Sequence, residues 1–546
     1  MVRFALIWLL AFTAAAAAGP RATTGDGALE GISTQGISEY LGIAYAAPPV
    51  GDLRWRAPAA PAKWSGVRQA TKFGPTCAQV TTLGPFAGPA NSNEDCLYLN
   101  VFAPPAKEKL PVLVWIHGGG YFDGESNDYD AARLARQGKL IVVTLNYRLN
   151  LFGFLDIPAL GKPGGNYGLM DMVAALKWVR ANIAAFGGDP ANITLGGQSA
   201  GAGAASALAV APSARGLFQR AIFMSGGYTP LVPKDVALKK GRQFAAAAGC
   251  DQTADQTADQ TTDKAADVAQ CLRALPAGKI AALSGTASGT APFVSGAMVD
   301  GDLVPQSAAE AYGAGAFNRV PVMVGTTRDE GNFAIGIAQY FREGRTPATL
   351  EDFHVYAKRM YGGNAGPGGT PPPYPPGTPD KMLALYAPEA HGGVQMAWAD
   401  AHADMLACRG QYLAGQIAPF APVYAYVFDD RSAPSYFPQM KGFTPGAYHT
   451  ADLIYLFPGY HGGPDGVPTS LNAGQRKLSD RMIAAWANFA RSGNPNGKGD
   501  APWPRWRKNA DAPSHFIQND AWAQVQSTSQ FSAAHNCGFW DQVLRY

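Results

Sequence analysis

The sequence predicts an α/β fold with a large, mostly parallel central sheet flanked by helices on both faces. Three observations carry this prediction. Leu110–Ile116 and residues 140–145 are nearly continuous apolar runs, as expected of strands buried on both sides. Residues 171–185 place Met172, Ala175, Leu176, Val179 and Ile183 at helical spacing, which predicts an amphipathic helix. The order strand, glycine loop, strand, helix, strand then argues for parallel strands joined by crossovers.

Taken in order, residues 1–18 read as a signal peptide. Arg3 supplies a positive start, an apolar run follows, and Ala14 to Ala18 form a small-residue cleavage site. The apolar run is shorter than the roughly 20 residues of a spanning helix, so export is expected, to the periplasm or the medium. Residues 19–546 are read as one catalytic domain, because large α/β folds often run long as a single unit. Residues 29–65 read as an antiparallel edge hairpin, and 78–93 as a Gly/Pro/Asn-rich loop. Residues 97–102 form a strand stopped by Pro104-Pro105.

After Ile116 comes His117-Gly118-Gly119-Gly120-Tyr121, a loop behind a buried strand. A Gly-Gly-Asp-Pro turn at 187–190 precedes a β-prone run that ends in Gly197-Gln198-Ser199-Ala200-Gly201, and an Ala/Gly-rich helical stretch follows. Residues 219–224 and 320–325 read as further strands. Between them, 251–267 is a low-complexity polar insertion built on Asp-Gln-Thr-Ala repeats, which cannot bury a core. Residues 363–379 form a second insertion, a Pro/Gly-rich surface loop. Val423–Phe428 is a late strand and 478–490 a late helix, and residues 503–506 cap the tail.

Composition excludes several classes. Of 546 residues, 47% are hydrophobic and 16% charged, which describes a substantial core under a lightly charged surface. A net charge of +3 without a Lys/Arg cluster gives no footprint for nucleic acid or a membrane surface. Six cysteines, Cys77, Cys96, Cys250, Cys271, Cys408 and Cys537, fit disulfides in an exported chain. Spacing alone does not choose their partners. No C-x-x-C occurs and the histidines stand apart from the cysteines, so no metal is expected.

Gly197-Gln198-Ser199-Ala200-Gly201 has the strand–turn–helix context of a nucleophile elbow. Small neighbours let the backbone turn sharply and lift the Ser199 hydroxyl to a helix N-terminus, where developing negative charge is favoured. A serine hydroxyl needs an imidazole base, which in turn needs an orienting carboxylate. His449 follows the serine in the loop Gly446-Ala447-Tyr448-His449-Thr450-Ala451-Asp452; His354, His391, His402, His461, His515 and His535 match no comparable motif. Two adjacent carboxylates, Asp329 and Glu330, compete at the end of the 320–325 strand. Gly119 and Gly120 can present backbone N–H groups to an oxyanion without a Cβ in the way, and Ala200 supplies a third.

The block from Phe186 to Gly201 resembles the serine-site signature of type-B carboxylesterases, the family that includes cholinesterases. Glu94-Asp95-Cys96-Leu97-Tyr98-Leu99-Asn100-Val101 resembles that family's other signature, and the similarity runs from about Leu29 to the C-terminus. The resemblance implies an α/β-hydrolase fold with an N-terminal hairpin and long loop insertions forming an active-site gorge. It implies a serine carboxylesterase with a Ser199-His449-Glu330 triad, no cofactor, and a small-molecule ester as partner. Asp329 is then structural. Ser225 corresponds to a serine that supports the acid, and Arg148 with Asp171 to a buried ion pair. Cys77 pairs with Cys96, Cys250 with Cys271, and Cys408 with Cys537.

The departures bear on substrate. Relatives that take choline esters carry a tryptophan where this chain has Gly84-Pro85-Phe86-Ala87, and many have glutamate in place of Gln198. Both changes remove cation-attracting features, so choline esters are not expected. Phe86 and Phe293 are the expected pocket residues, Phe293 on the acyl side. A specialised ester (feruloyl, lipid, polyester or mycotoxin) is the alternative within enzymes. A non-catalytic binding protein is the alternative outside them, disfavoured by the intact nucleophile. Oligomeric state, monomer or homodimer, is not readable from the sequence.

Overall fold

The computed structural model describes residues 19–544 except 82, 84–87, 163, 228–229, 252–261, 286–292, 295, 363–373, 461–465, 468 and 510. The leader, Phe86 and the Asp-Gln-Thr-Ala repeats therefore lie outside the described residues, as does most of the 363–379 insertion.

Among the described residues two sheets form. The smaller joins β1 (Arg21–Thr23), β2 (Ala28–Glu30) and β5 (Val67–Gln69). The larger contains β3 (Ile32–Thr34), β4 (Ile37–Ala44), β6 (Tyr98–Ala103), β7 (Leu110–Ile116), β8 (Ile141–Leu145) and β9 (Gly188–Gln198). It continues through β10 (Arg220–Met224), β11 (Val322–Thr327), β12 (Val423–Phe428), β13 (Pro513–Gln518) and β14 (Gln524–Ser527). The spatial order is β14-β13-β12-β11-β10-β9-β7-β8-β6-β4-β3. From β8 to β13 every neighbouring pair is parallel, and antiparallel strands close both edges. The expected N-terminal hairpin is β3–β4, but residues 21–69 also build the small separate sheet. The tail is more than a cap, since β13 and β14 extend the main sheet by two strands beyond residue 506.

The predicted turn before the nucleophile contracts to Gly187, whose φ of 86° sets it, and Gly-Asp-Pro becomes the start of β9. β7 shows how both faces are filled. Val112, Val114 and Ile116 pack into one core cluster with Leu176 and Val179, while Leu113 and Trp115 pack into another with Trp486 and Phe489. The first group of partners comes from helix α1 (Tyr167–Asn182), and α2 (Ala200–Val210) follows the elbow. α3 (Gly331–Tyr340) follows β11, and α4 (Val394–Ile417) packs against it. α5 (Ala473–Ser492) covers the opposite face, and α6 (Cys537–Val543) is the last helix.

The amphipathic expectation for α1 is corrected. Twelve of its residues are buried, including Asp171, and only a narrow edge around Lys177 and Arg180 is exposed. The helix lies against the sheet beneath other elements, so little of it needs a polar face. The insertions are also shorter than expected: Thr262–Ala274 and Thr378–Leu385 are helical. The disulfides are Cys77–Cys96, Cys250–Cys271 and Cys408–Cys537. No described helix is long and apolar enough to cross a membrane, and no described cluster of His, Cys, Asp or Glu could hold a metal ion.

Candidate active site

Ser199 sits between the end of β9 and the start of α2 with φ 57° and ψ −125°. An L-residue is strained in this region, so the turn is held by its surroundings. The Ser199 N–H donates to the Met224 carbonyl at 2.9 Å, and its own carbonyl accepts from Gly203 at 3.0 Å. Close backbone packing explains the flanking glycines: a Cβ on Gly201 would stand 2.1 Å from the Ile116 carbonyl oxygen. The elbow is therefore locked against β7.

Glu330 and His449 meet across two loops. Glu330 is 1% exposed. One of its oxygens accepts the Thr327 N–H at 2.9 Å, and the other contacts His449 Nδ1. That contact leaves Nε2 as the nitrogen available to a substrate or nucleophile. Phe333 of α3 packs on the imidazole with ring centroids 5.5 Å apart. Ser199 and His449 line one cavity of about 290 Å³. Among the described residues no hydrogen bond joins Ser199 Oγ to the imidazole in this conformation. Such contacts are often long until substrate arrives.

Asp329 points elsewhere. Its Oδ2 accepts the Ala447 N–H at 2.8 Å and the Arg431 Nε–H at 2.9 Å, and its own N–H donates to the Ala447 carbonyl at 3.0 Å. Asn332 donates to the carbonyls of Thr444 and Pro445 at 2.9 Å each. Gln198 Nε2 donates to the His449 carbonyl at 2.8 Å. The loop that carries His449 is thus tied to both the Asp329–Asn332 turn and strand β9. Sequence reasoning placed Gln198 as a supporting residue beside Ser199 and as the replacement of a glutamate, but its donor to the histidine backbone was not visible there.

The oxyanion loop is shaped by glycine where φ is positive. Gly119 has φ 111°, and a Cβ there would lie 1.9 Å from the Asp123 carbonyl oxygen. Gly120 has φ 63° and lines the cavity with Ala200. Among the described residues, the N–H groups of Gly119, Gly120 and Ala200 donate to no protein acceptor. His117 beneath the loop is buried and stacks on Tyr147 at 4.4 Å, and burial lowers its pKa to about 4. It stays neutral and braces the loop through Nδ1 to the Gly118 carbonyl at 2.8 Å.

Other predicted residues fall differently. Ser225 lines the cavity with φ 52°, but among the described residues its buried hydroxyl has no hydrogen-bond partner, and the Thr327 N–H holds Glu330 instead. Phe293 is not among the cavity's described lining; it packs toward Phe244 with centroids 6.4 Å apart. Two residues that sequence reasoning passed over, His402 and Arg409, line the cavity from α4. Burial first, and the nearby His449 second, lower the His402 pKa to about 4. No spacing signal marks them, because they arrive on a helix whose sequence carries no motif.

Comparison with known proteins places the chain in a family. A profile described as the carboxylesterase family matches residues 18–543. Para-nitrobenzyl esterase of Bacillus subtilis (strain 168) is 33% identical over 495 residues, covering 89% of this chain and 92% of that protein. Fumonisin B1 esterase of Sphingopyxis macrogoltabida is 33% identical over 511 residues, covering 89% and 85%. The solved structure of a thermophilic PNB esterase superposes with a TM-score of 0.73 at 29% identity, covering 95% of this chain and 99% of the other.

Proposed function

This chain belongs to the carboxylesterase family, and we propose that it is an exported serine esterase working through Ser199, His449 and Glu330. The fold is that of the α/β-hydrolases, and the activity class is carboxylic ester hydrolysis. In the proposed cycle His449 Nε2 takes the proton of Ser199 Oγ as the oxygen attacks the ester carbonyl carbon. The tetrahedral oxyanion is held by the N–H groups of Gly119, Gly120 and Ala200. Such donors are typically worth about 3–4 kcal/mol of barrier when one is removed. Collapse expels the alcohol, which receives the proton from His449. Water, deprotonated by the same imidazole, then attacks the acyl-enzyme and releases the acid.

Glu330 holds the imidazole in one tautomer and stabilises the imidazolium as it forms. One observation carries this reading: a fully buried carboxylate spans the Thr327 N–H and His449 Nδ1, and His449 shares a cavity with the strained Ser199. Export rests on the leader-like N-terminus and on three disulfides, which persist in oxidising compartments.

Ser199→Ala tests the assignment. The variant should fold and melt like the parent while hydrolysis of 4-nitrophenyl butyrate falls by roughly four to six orders of magnitude. A fluorophosphonate should label the parent once, at Ser199. Labelling at another residue, or substantial turnover by the variant, would remove Ser199 from the role.

A further inference from the structure

The wall of the catalytic cavity contributed by α4 holds a charge that the ester chemistry above does not use. Arg409 lines the cavity with His402, Leu406 and Gly410, and no aspartate or glutamate is among the described residues lining it. Among the described residues the Arg409 Nε is buried without a hydrogen-bond partner and Arg409 forms no ion pair. The two most buried arginine ion pairs differ in having a carboxylate, although among the described residues Arg148 Nη1 is also buried without a partner. Arg54 grips Glu94 through Nε at 2.6 Å, and Arg148 grips Asp171 through Nε at 2.8 Å and Nη2 at 2.7 Å. Where this fold buries an arginine for structure, it supplies the carboxylate. Arg409 is half-buried on the cavity wall with no carboxylate beside it, and a guanidinium so placed is suited to a ligand that brings the acceptor.

The neighbours reinforce this. Tyr356, Tyr361 and Tyr374 stand close enough for the Arg409 charge to favour their ionised forms, yet burial dominates and raises all three phenols. His402 is neutral because burial lowers its pKa. Among the described residues, these neighbours do not neutralise the guanidinium. Ser225 adds a second unpartnered polar atom, its buried Oγ, on the facing sheet end. Gly226, Gly227 and Gly410 keep the space between them free of side chains.

We propose that Arg409 makes the catalytic cavity anion-accepting, so that the favoured esters carry a carboxylate on the portion that enters it. This rests on the esterase reading above and narrows its substrate class. A planar guanidinium takes a carboxylate through paired N–H donors, and that contact holds the ester in register with Ser199. A volume of about 290 Å³ lies at the small end of ligand pockets, which favours a short acid chain. The same charge repels a cationic alcohol and adds a repulsive element to the missing tryptophan.

The test compares kcat/KM on 4-nitrophenyl hemisuccinate, hemiglutarate and hemiadipate with the uncharged butyrate. A second arm uses 4-(butanoyloxy)benzoate, which moves the carboxylate to the alcohol side. The parent should prefer at least one anionic ester over its neutral counterpart. Arg409→Leu should lower that anionic-to-neutral ratio by about tenfold or more, with Arg409→Lys keeping part of it. The arm that responds identifies whether the acyl or the alcohol portion meets Arg409. Glutarate should also compete with butyrate ester in the parent while glutaramide does not, a measurement that needs no variant. A parent that cleaves butyrate but shows neither preference nor glutarate competition overturns the proposal, as does an unchanged ratio in Arg409→Leu. A parent that cleaves none of these esters overturns the esterase reading itself.

Discussion

Asp329 and Glu330 are neighbours in the chain, carry the same charge, and do different things because their partners differ. Glu330 spends one oxygen on the Thr327 N–H and the other on the imidazole. Asp329 holds the Ala447 N–H and the Arg431 side chain, which is itself 58% exposed. Glu330→Gln keeps the shape but presents an amide to Nδ1, so the wrong tautomer is stabilised. Turnover should fall by about 10³–10⁴-fold with little change in melting temperature. Asp329→Asn retains an acceptor for Ala447 and loses an ion pair whose arginine end is in solvent, worth about 1 kcal/mol; its turnover should fall far less. Measuring kcat for both on one neutral ester decides the matter, and the opposite ranking would move the acid by one residue. Sequence pattern alone left this pair undivided. The family resemblance chose Glu330, and the physical ground for the choice is which carboxylate meets the histidine, a fact of two loops 119 residues apart.

At the level of elements, apolar runs were the legible part. β7 and β12 run as expected, because strands buried on both faces write themselves as unbroken apolar sequence. β13 and β14 were missed: Pro513–Gln518 contains Pro, Ser, His and Gln, and the edge position of β14 lets it stay polar. α1 was located but misjudged in character, since burial from several sides erases the two-faced pattern. Its Asp171 is fully buried and binds Arg148 through both Nε and Nη2, and also accepts the Arg148 backbone N–H at 3.1 Å. That pair ties α1 to the segment following β8. Asp171→Asn removes the charge that makes a buried guanidinium tolerable and should destabilise by about 3–5 kcal/mol. Chemical denaturation of the variant beside a surface Asp→Asn control measures it. A loss no larger than the control's would show that water or another group compensates the arginine.

Across the whole molecule, the proposed chemistry and the proposed specificity ride on separate parts of the chain. Ser199, Glu330 and the Gly118–Gly120 loop follow β9, β11 and β7, parallel strands of one run in which β10 separates β11 from β9, at the strand ends where such sheets put their sites. The opposing wall, with His402 and Arg409, is α4, and α4 is held from outside by the C-terminal tail. Cys408 of α4 is bonded to Cys537 of α6. Beside it Asp404 accepts from His535 at 2.9 Å and from Asn536 at 2.9 Å, and Trp540 donates to Tyr386 at 2.8 Å. These are contacts between distant stretches, so no local pattern announces them. The disulfide closes 129 residues, against 21 for Cys250–Cys271. In the chain-entropy account its removal costs more, about 5 kcal/mol against about 3. Replacing both Cys408 and Cys537 by serine should therefore lower the melting temperature more than the same change at Cys250 and Cys271. Below the transition, turnover of a small neutral ester should survive, because no triad residue sits on α4. Selectivity among larger and charged esters should broaden as the wall loosens. If the Cys408/Cys537 variant melts no lower than the Cys250/Cys271 variant and keeps the parent's selectivity, the tail does not hold the wall, and the packing of α4 on α3 must position it alone.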